Sequence, residues 1–151
     1  MEDKPLSNLD LEKYARKYKL RLIGVFSKDE LPPPQVGSYY VNLQDAADGD
    51  GTHCVLVKIF DKKHAFYFDS FGERIPIEVS RFLEHYKPIP YSHRQIQDIH
   101  SSRCGLYVVA CDRYMSTVKR KKMLEQYDDF LSMFTADTKK NDCILVDYLK
   151  K

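Results

Sequence analysis

The stretch HCVLVKIF, His53–Phe60, constrains the fold more strongly than any other part of the sequence. Its β-branched and aromatic residues are typical of a strand. The polar turn Asp61–Lys63 follows, and AFYF, Ala65–Phe68, has the composition of a second strand. Two such strands joined by a short polar turn predict an antiparallel hairpin.

Outward from the hairpin, the sequence predicts further strands and several helices. Ser7 and Asp10 form a capping box that opens a helix running to about Tyr18. Leu106–Ala110 is apolar on most sides, so its periodicity leaves a buried strand and a buried helix both open. The other predicted elements are strands at Leu20–Val25, Ser38–Leu43 and Tyr91–Ile99, and helices at Ile77–Tyr86, 123–134 and Asn141–Leu149. Because strands and helices are largely segregated along the chain, we predict an α+β fold with a mostly antiparallel sheet.

Length and composition indicate one folded globular domain, which we predict to span residues 1–151. Hydrophobic residues make up 43% of the chain and charged residues 30%, values that argue against disorder. The net charge of +2 is too small to demand a nucleic-acid or membrane partner. No apolar run approaches the roughly 20 residues of a membrane span. The charged segment Met1–Pro5 lacks the apolar core of a secretion signal, so we expect a protein that is not secreted.

The cysteine pattern indicates thiols in a reducing compartment. The cysteines are sparse, and no C-x-x-C pair or zinc-finger spacing occurs among them. Cys111 and Cys143 have apolar neighbours and are predicted to pack in the core. The acidic loop 45–50 lacks the spacing of a calcium site. We therefore expect no metal. The four cysteines are Cys54, Cys104, Cys111 and Cys143.

Four residues could together carry nucleophilic catalysis. His53 opens the predicted hairpin and Asp69 closes it, so a carboxylate could orient an imidazole on one side of the sheet. Cys104 begins an apolar element. If that element is a helix, its dipole and a protonated His53 would both stabilise a thiolate. The backbone N–H of Cys104 and the side chain of Gln97 could then donate hydrogen bonds to a developing oxyanion.

Each of these residues also has an ordinary structural explanation. A lone cysteine such as Cys104 before an apolar run is usually a small buried hydrophobe. His53 at the start of a strand is more often a satisfied surface or core histidine. Asp69 before Ser-Phe-Gly is typical of a turn. The residue types leave both interpretations open, and their joint occurrence favours the catalytic one.

The same residues resemble the adenovirus maturation protease (adenain) family. The chain order His, Asp or Glu, Gln, Cys is that of the family, whereas papain-like proteases place the cysteine first. The resemblance covers about residues 7–116, and the wider superfamily includes the SUMO-specific proteases. It is carried by Gly51-Thr52-His53, Tyr67-Phe68-Asp69-Ser70-Phe71-Gly72, Gln97, Ser101-x-x-Cys104-Gly105-Leu106-Tyr107, and, before them, a leading helix, Leu22–Phe26 and Tyr40–Leu43.

The resemblance implies a fold, a set of roles and a substrate class. The fold would be an antiparallel sheet packed against a central helix headed by Cys104. Cys104 would be the nucleophile, His53 the general base and then acid, and Asp69 the residue that orients the imidazole. Gln97 and the Cys104 N–H would form the oxyanion hole. Such enzymes cut capsid and other structural precursors through a thioester, at sites with Gly or another small residue.

The resemblance also implies a setting. The short chain is expected to come from a virophage or a virus-like DNA transposon. We expect it in the virion and in the cytoplasm or nucleus of the infected host cell. Cys54 stands where family members often have Trp. No cysteine lies between Cys54 and Cys104, so a disulfide-linked activating peptide is not carried over.

Other interpretations stay open at this stage. No cofactor is expected to be required. Lys119, Arg120, Lys121 and Lys122 could bind DNA as an activator, or could form an ordinary solvated basic segment. The same catalytic chemistry would also suit an isopeptidase that removes SUMO or a ubiquitin-like modifier. A third alternative is a non-catalytic nucleic-acid-binding module, for which salt-dependent DNA binding is expected.

Overall fold

The computed structural model describes residues 3–44, 53–117 and 122–151 and consists of a sheet with helices on both faces. Four strands and five helices are present in this described part of the chain. In chain order they are α1 (Asn8–Lys17), β1 (Leu22–Ser27), β2 (Gly37–Asn42), β3 (Cys54–Ile59), β4 (Ala65–Phe68), α2 (Ile77–Phe82), α3 (Cys104–Thr117), α4 (Met123–Ser132) and α5 (Thr138–Lys150).

The sheet has the strand order β1-β2-β3-β4. β3 and β4 form the predicted antiparallel hairpin, with Leu56 opposite Phe68 and Ile59 opposite Ala65. β2 pairs antiparallel with β3, and β1 pairs parallel with β2. The sheet is therefore mostly antiparallel, and the predicted α+β class is confirmed.

Alternation along β3 explains why both faces of the sheet are covered. Successive side chains of a strand point to opposite faces. Cys54 and Leu56 belong to the larger core, formed with α1, α3, α4 and α5. Val55 and Val57 belong to a smaller core, formed with Val79 and Leu83 from α2 and the residue after it.

The apolar segment that begins at Cys104 is a helix, which resolves the ambiguity left by its periodicity. α3 is 14 residues long, and it is buried from Gly105 to Asp112. A strand of that length would be unusual, whereas a helix surrounded by other elements is expected to be apolar on most sides. α3 crosses the sheet against β3 and is the central helix of the larger core.

A buried ion pair fixes α3 against the sheet. Lys58 Nζ lies 2.7 Å from Asp112 Oδ1 and also donates to the hydroxyls of Ser38 and Ser116, at 3.0 and 3.1 Å. The hydroxyl of Tyr40 donates to Asp112 Oδ2 at 2.6 Å. The network joins β2, β3 and α3, and every donor hydrogen of the ammonium group has an acceptor.

Several sequence-based expectations need correction. Tyr91–Ile99 contains no strand, because the N–H groups of Ile96 and Gln97 both donate to one carbonyl, that of Ser70, instead of to a ladder. The helix at Ile77 ends at Phe82 and continues only as a 3₁₀ turn, Glu84–Tyr86. Cys143 is exposed rather than packed in the core, while Cys111 is buried as predicted.

Two predicted features fall on residues outside the described ranges. They are the acidic loop 45–50 and most of the basic cluster, Lys119–Lys121. Within the described ranges, none of the helices has the length and apolarity needed to cross a membrane.

Candidate active site

His53 and Asp69 meet at the open end of the β3–β4 hairpin. Continuing the register past Leu56 and Phe68 would place Asp69 opposite Val55. Side chains two residues apart on a strand share a face, so His53 and Asp69 point to the same side. The distance from His53 Nε2 to Asp69 Oδ1 is 2.6 Å, and the Asp69 side chain is fully buried. The structure thus joins the predicted imidazole and carboxylate directly.

A tight turn after β4 fixes the Asp69 carboxylate. Asp69 Oδ1 accepts the backbone N–H of Phe71 at 2.9 Å, which is the hydrogen bond of an Asx turn. Gly72 closes the turn with φ of +71°, where a residue with a Cβ would be strained. A Cβ on Gly72 would also lie 2.6 Å from the carbonyl oxygen of His93. The turn also places the ring of Phe71 over the imidazole of His53, with centroids 4.6 Å apart.

Cys104 approaches the same imidazole from the other side of the site. It is half-buried and is the first residue of α3, at the positive end of the helix dipole. Its thiol lies near enough to the His53 ring to help raise the pKa of the imidazole. Asp69 engages Nε2, whereas the buried Nδ1 of His53 has no hydrogen-bond partner among the described residues, which leaves Nδ1 as the ring nitrogen that the thiol can approach.

The charge state of His53 follows from these neighbours. Burial of the ring lowers its pKa, but the hydrogen bond and charge of Asp69, together with the nearby Cys104, outweigh burial and raise the pKa from the ordinary 6.5 to about 9. His53 is therefore protonated at neutral pH.

Gln97 lies in the segment between the turn and α3, and its amide orientation is determined by two neighbours. The amide nitrogen donates to the carbonyl of Ser101 at 2.9 Å, and the amide oxygen accepts the hydroxyl of Ser70 at 2.5 Å. A backbone carbonyl can only accept, so the nitrogen must face Ser101. One N–H of this buried amide is thus committed to Ser101.

The structure brings all four predicted site residues to one end of the molecule. His53 and Asp69 come from the hairpin, Gln97 from the segment before α3, and Cys104 from the helix itself. Together they supply a thiol nucleophile, a base that can also act as an acid, and oxyanion donors. This set of groups suits acyl transfer through a covalent thioester.

Sequence reasoning missed the residues that hold these four in place. Ser70 and Phe71 stand beside Asp69 in the sequence motif, but side-chain directions inside a turn do not follow a strand period. The hydroxyl of Ser101 donates to the carboxylate of Asp142 at 2.9 Å. The two residues are far apart in the sequence, so no spacing rule predicts this contact. The part of the chain that the structure covers holds no cluster of three His, Cys, Asp or Glu side chains suited to a metal ion.

Two solved structures of a protease resemble the chain in fold. The crystal structure of the ASFV pS273R protease matches it with a TM-score of 0.56 and 16% identity, over 95% of this chain and 67% of that chain. A crystal structure of the Se-Met form of that protease gives a TM-score of 0.52 and 16% identity, over 95% and 68%. No protein-family model and no curated protein matches the sequence. At this identity the likeness shows the fold: it is the fold of the ubiquitin-like-protein proteases.

Proposed function

We propose that the chain is a thiol endopeptidase of the adenain-like type. Cys104 is the nucleophile, His53 the general base and acid, and Asp69 the residue that orients the imidazole. The observation that carries the proposal is the contact of His53 with both partners: Asp69 at 2.6 Å, and the thiol of Cys104 at the N-terminus of the central helix. The shared fold with a viral protease supports the proposal.

The proposed reaction has two stages. The Cys104 thiolate attacks the scissile carbonyl carbon, and the carbonyl electron pair moves to oxygen, which accepts hydrogen bonds from Gln97 and the Cys104 N–H. The intermediate collapses to a thioester as the C–N bond breaks, and the His53 imidazolium protonates the leaving amine. His53 then removes a proton from water, whose oxygen attacks the thioester. Collapse releases the acid, and the thiolate and imidazolium are regenerated.

We propose viral capsid and other structural precursor proteins as substrates, cut beside Gly or another small residue. The support is the sequence resemblance around His53, Asp69 and Cys104, together with the fold. On the same basis we propose a virophage or transposon source and a location in the virion and the infected cell. DNA is the proposed activator, bound through the basic cluster Lys119–Lys122.

A SUMO or ubiquitin-like isopeptidase is the second candidate function, because the fold is also that of proteases acting on such modifiers. The two candidates differ in what is cut. A capsid-precursor fragment with an internal Gly-containing site and a SUMO or ubiquitin fusion would be incubated with the protein side by side. Cleavage of the precursor fragment alone is expected, and cleavage of the fusion alone would overturn the endopeptidase proposal in favour of the isopeptidase.

Selective alkylation tests the thiol chemistry without a known substrate. The native protein would be treated with limiting iodoacetamide at mildly acidic pH, and the label would be located by mass spectrometry. Exposure alone predicts that Cys143 is labelled fastest, because it is exposed, whereas Cys104 is half-buried and Cys54 and Cys111 are buried. We expect Cys104 to react faster than Cys143.

A His53→Ala variant provides the control for this experiment. Loss of the imidazole should remove the advantage of Cys104 and leave the labelling of Cys143 unchanged. Labelling that follows exposure in both proteins would contradict an activated thiol. Together with strongly salt-dependent DNA binding, that result would favour the nucleic-acid-binding module.

A further inference from the structure

We propose that Asp142, on α5, is a positioning residue that holds both donors of the oxyanion hole in place. The donors are the side-chain amide of Gln97 and the backbone N–H of Cys104. The inference rests on the proposed peptidase function and extends it to a carboxylate far from these residues in the sequence.

The Asp142 carboxylate is the acceptor for three side chains beside the nucleophile. Its Oδ2 accepts the hydroxyl of Ser101 at 2.9 Å and Nη1 of Arg103 at 2.8 Å, and its Oδ1 accepts the hydroxyl of Tyr107 at 2.8 Å. The carboxylate side chain is only 14% exposed. Burial and the hydrogen bond to Asp142 hold the pKa of Tyr107 above its ordinary value, so the phenol remains a donor.

Both oxyanion donors are connected to Asp142 through Ser101. The carbonyl of Ser101 accepts the amide N–H of Gln97 at 2.9 Å, which fixes the direction of that amide. The Ser101 hydroxyl oxygen accepts the backbone N–H of Arg103 at 3.2 Å, while its own hydrogen goes to Asp142. Arg103 directly precedes Cys104, and its carbonyl accepts the N–H of Tyr107, at the first turn of α3.

The segment between Gln97 and Cys104 depends on such tethers because it contains no helix or strand. α5 also holds the segment at two further points. The hydroxyl of Thr138 donates to Asp98 at 2.9 Å, and the Asn141 amide donates to the carbonyl of Ile96 at 2.8 Å. Among these tethers, the Asp142 carboxylate binds the residues nearest to Cys104 in the sequence, Ser101 and Arg103. The donors must be held within about 0.5 Å of the geometry that suits the oxyanion, so a loose segment lowers turnover.

Asp142 has two effects that can be measured separately: it positions the oxyanion donors, and its charge acts on Arg103. Asp142 neutralises part of the charge of Arg103, which lies next to the nucleophile. Removing the negative charge leaves Arg103 more effective at stabilising a thiolate, so alkylation of Cys104 should not slow. Attack on a carbonyl, in contrast, needs the oxyanion donors and should slow. Alkylation by iodoacetamide displaces iodide from an sp³ carbon and forms no oxyanion, which makes it the matched comparison.

The test compares Asp142→Asn with Asp147→Asn, an exposed carboxylate on the same helix. The substrate probe is N-benzyloxycarbonyl-glycine p-nitrophenyl ester, and the readout is the Cys104-dependent release of p-nitrophenolate. We expect Asp142→Asn to lower kcat by about 10- to 100-fold with little change in KM, since loss of one oxyanion donor outright costs roughly 100- to 1,000-fold. Alkylation of Cys104 should stay within about twofold of wild type, and Asp147→Asn should match wild type in both assays.

A double variant tests whether Asp142 acts through Gln97. In a Gln97→Ala background, Asp142→Asn should cost markedly less than it does alone, because one of the donors it positions is already absent. Ser101→Ala should reproduce the loss of ester turnover with alkylation intact, and it covers the case in which Asp142→Asn fails to fold.

Two outcomes would refute the positioning role of Asp142, and a third would refute the peptidase proposal itself. Wild-type ester turnover in Asp142→Asn would refute the positioning role alone. A parallel fall in ester turnover and alkylation would indicate general damage to the site and would also refute that role. A wild-type protein with no ester turnover above a Cys104→Ala variant would refute the peptidase proposal, and the role of Asp142 with it.

Discussion

Asp69→Asn is the most informative single change in the site, because it removes one charge and keeps nearly the same shape. The asparagine oxygen can still accept the N–H of Phe71, so the turn after β4 should persist. The same oxygen, Asp69 Oδ1, lies 2.6 Å from His53 Nε2, so the asparagine oxygen can also accept from the imidazole but carries no negative charge. The change therefore acts on the imidazole with little effect on the backbone.

The size of the effect follows from the balance that sets the pKa of His53. Burial lowers this pKa, and the raising contributions of Asp69 and Cys104 bring it to about 9. The difference from the ordinary 6.5 corresponds to about 3 kcal/mol in favour of the imidazolium. Without the Asp69 charge, less opposes the effect of burial, and the pKa of His53 should fall to about the ordinary 6.5. At pH 7.5 the protonated fraction of His53 then falls about tenfold.

Two measurements check this prediction. NMR titration of isotopically labelled histidine reports the midpoint of His53, and iodoacetamide labelling between pH 5.5 and 9.5 reports the reactivity of Cys104. The matched control is Asp61→Asn, which breaks the exposed Asp61–His64 pair at the other end of the hairpin. A midpoint that stays above about 8 in Asp69→Asn, with unchanged labelling at pH 7.5, would refute the reasoning.

Three further predictions concern the support of the site. Ser70→Ala removes the hydroxyl that fixes the amide oxygen of Gln97, and it should lower turnover of the glycine ester severalfold without slowing alkylation of Cys104. Asp112→Ala leaves the buried Lys58 ammonium without its counter-ion, and urea denaturation should show a loss of about 3–5 kcal/mol, whereas a loss below about 1 kcal/mol would contradict the buried network. The stability contributed by protonated His53 is complete below its unfolded pKa of about 6.5 and is lost as pH rises through about 9. The stability advantage of wild type over His53→Ala should therefore shrink by up to about 3 kcal/mol between pH 6 and pH 10.

The sequence predicts correctly those elements whose hydrogen bonds join residues close together in the chain. The capping box at Ser7 and Asp10 is present as predicted, because its two hydrogen bonds lie within one turn. The hairpin is present because the strand composition of β3 and β4 and a short turn leave one obvious pairing. Direction of pairing is a different matter. β1 runs parallel to β2, and nothing within Leu22–Ser27 specifies that direction.

The limits of sequence reasoning are clearest in the segment before α3. Tyr91–Ile99 has aromatic and apolar residues that suggest a strand. It follows Pro90, whose carbonyl accepts the N–H of Tyr67 on the edge strand β4, yet the segment adds no strand to the sheet. Its N–H groups turn to Ser70, and Arg94 donates to the carbonyls of Leu131 and Phe134. These partners are distant in the sequence, so only the tertiary structure determines the conformation. The same holds for Asp142, whose role depends on where α5 packs.

The buried Lys58–Asp112 pair suggests how the two halves of the site stay aligned. His53 directly precedes β3 and Cys104 begins α3, so the distance between them depends on how the helix sits along the strand. Apolar packing alone constrains such a sliding motion weakly, since neighbouring apolar side chains are interchangeable partners. A charge pair with all its hydrogen bonds satisfied has one favourable arrangement, and any shift leaves a buried charge unpaired. Lys58 lies in β3, which His53 directly precedes, and Asp112 and Cys104 share α3. The pair that fixes this alignment therefore also fixes the approach of the thiol to the imidazole.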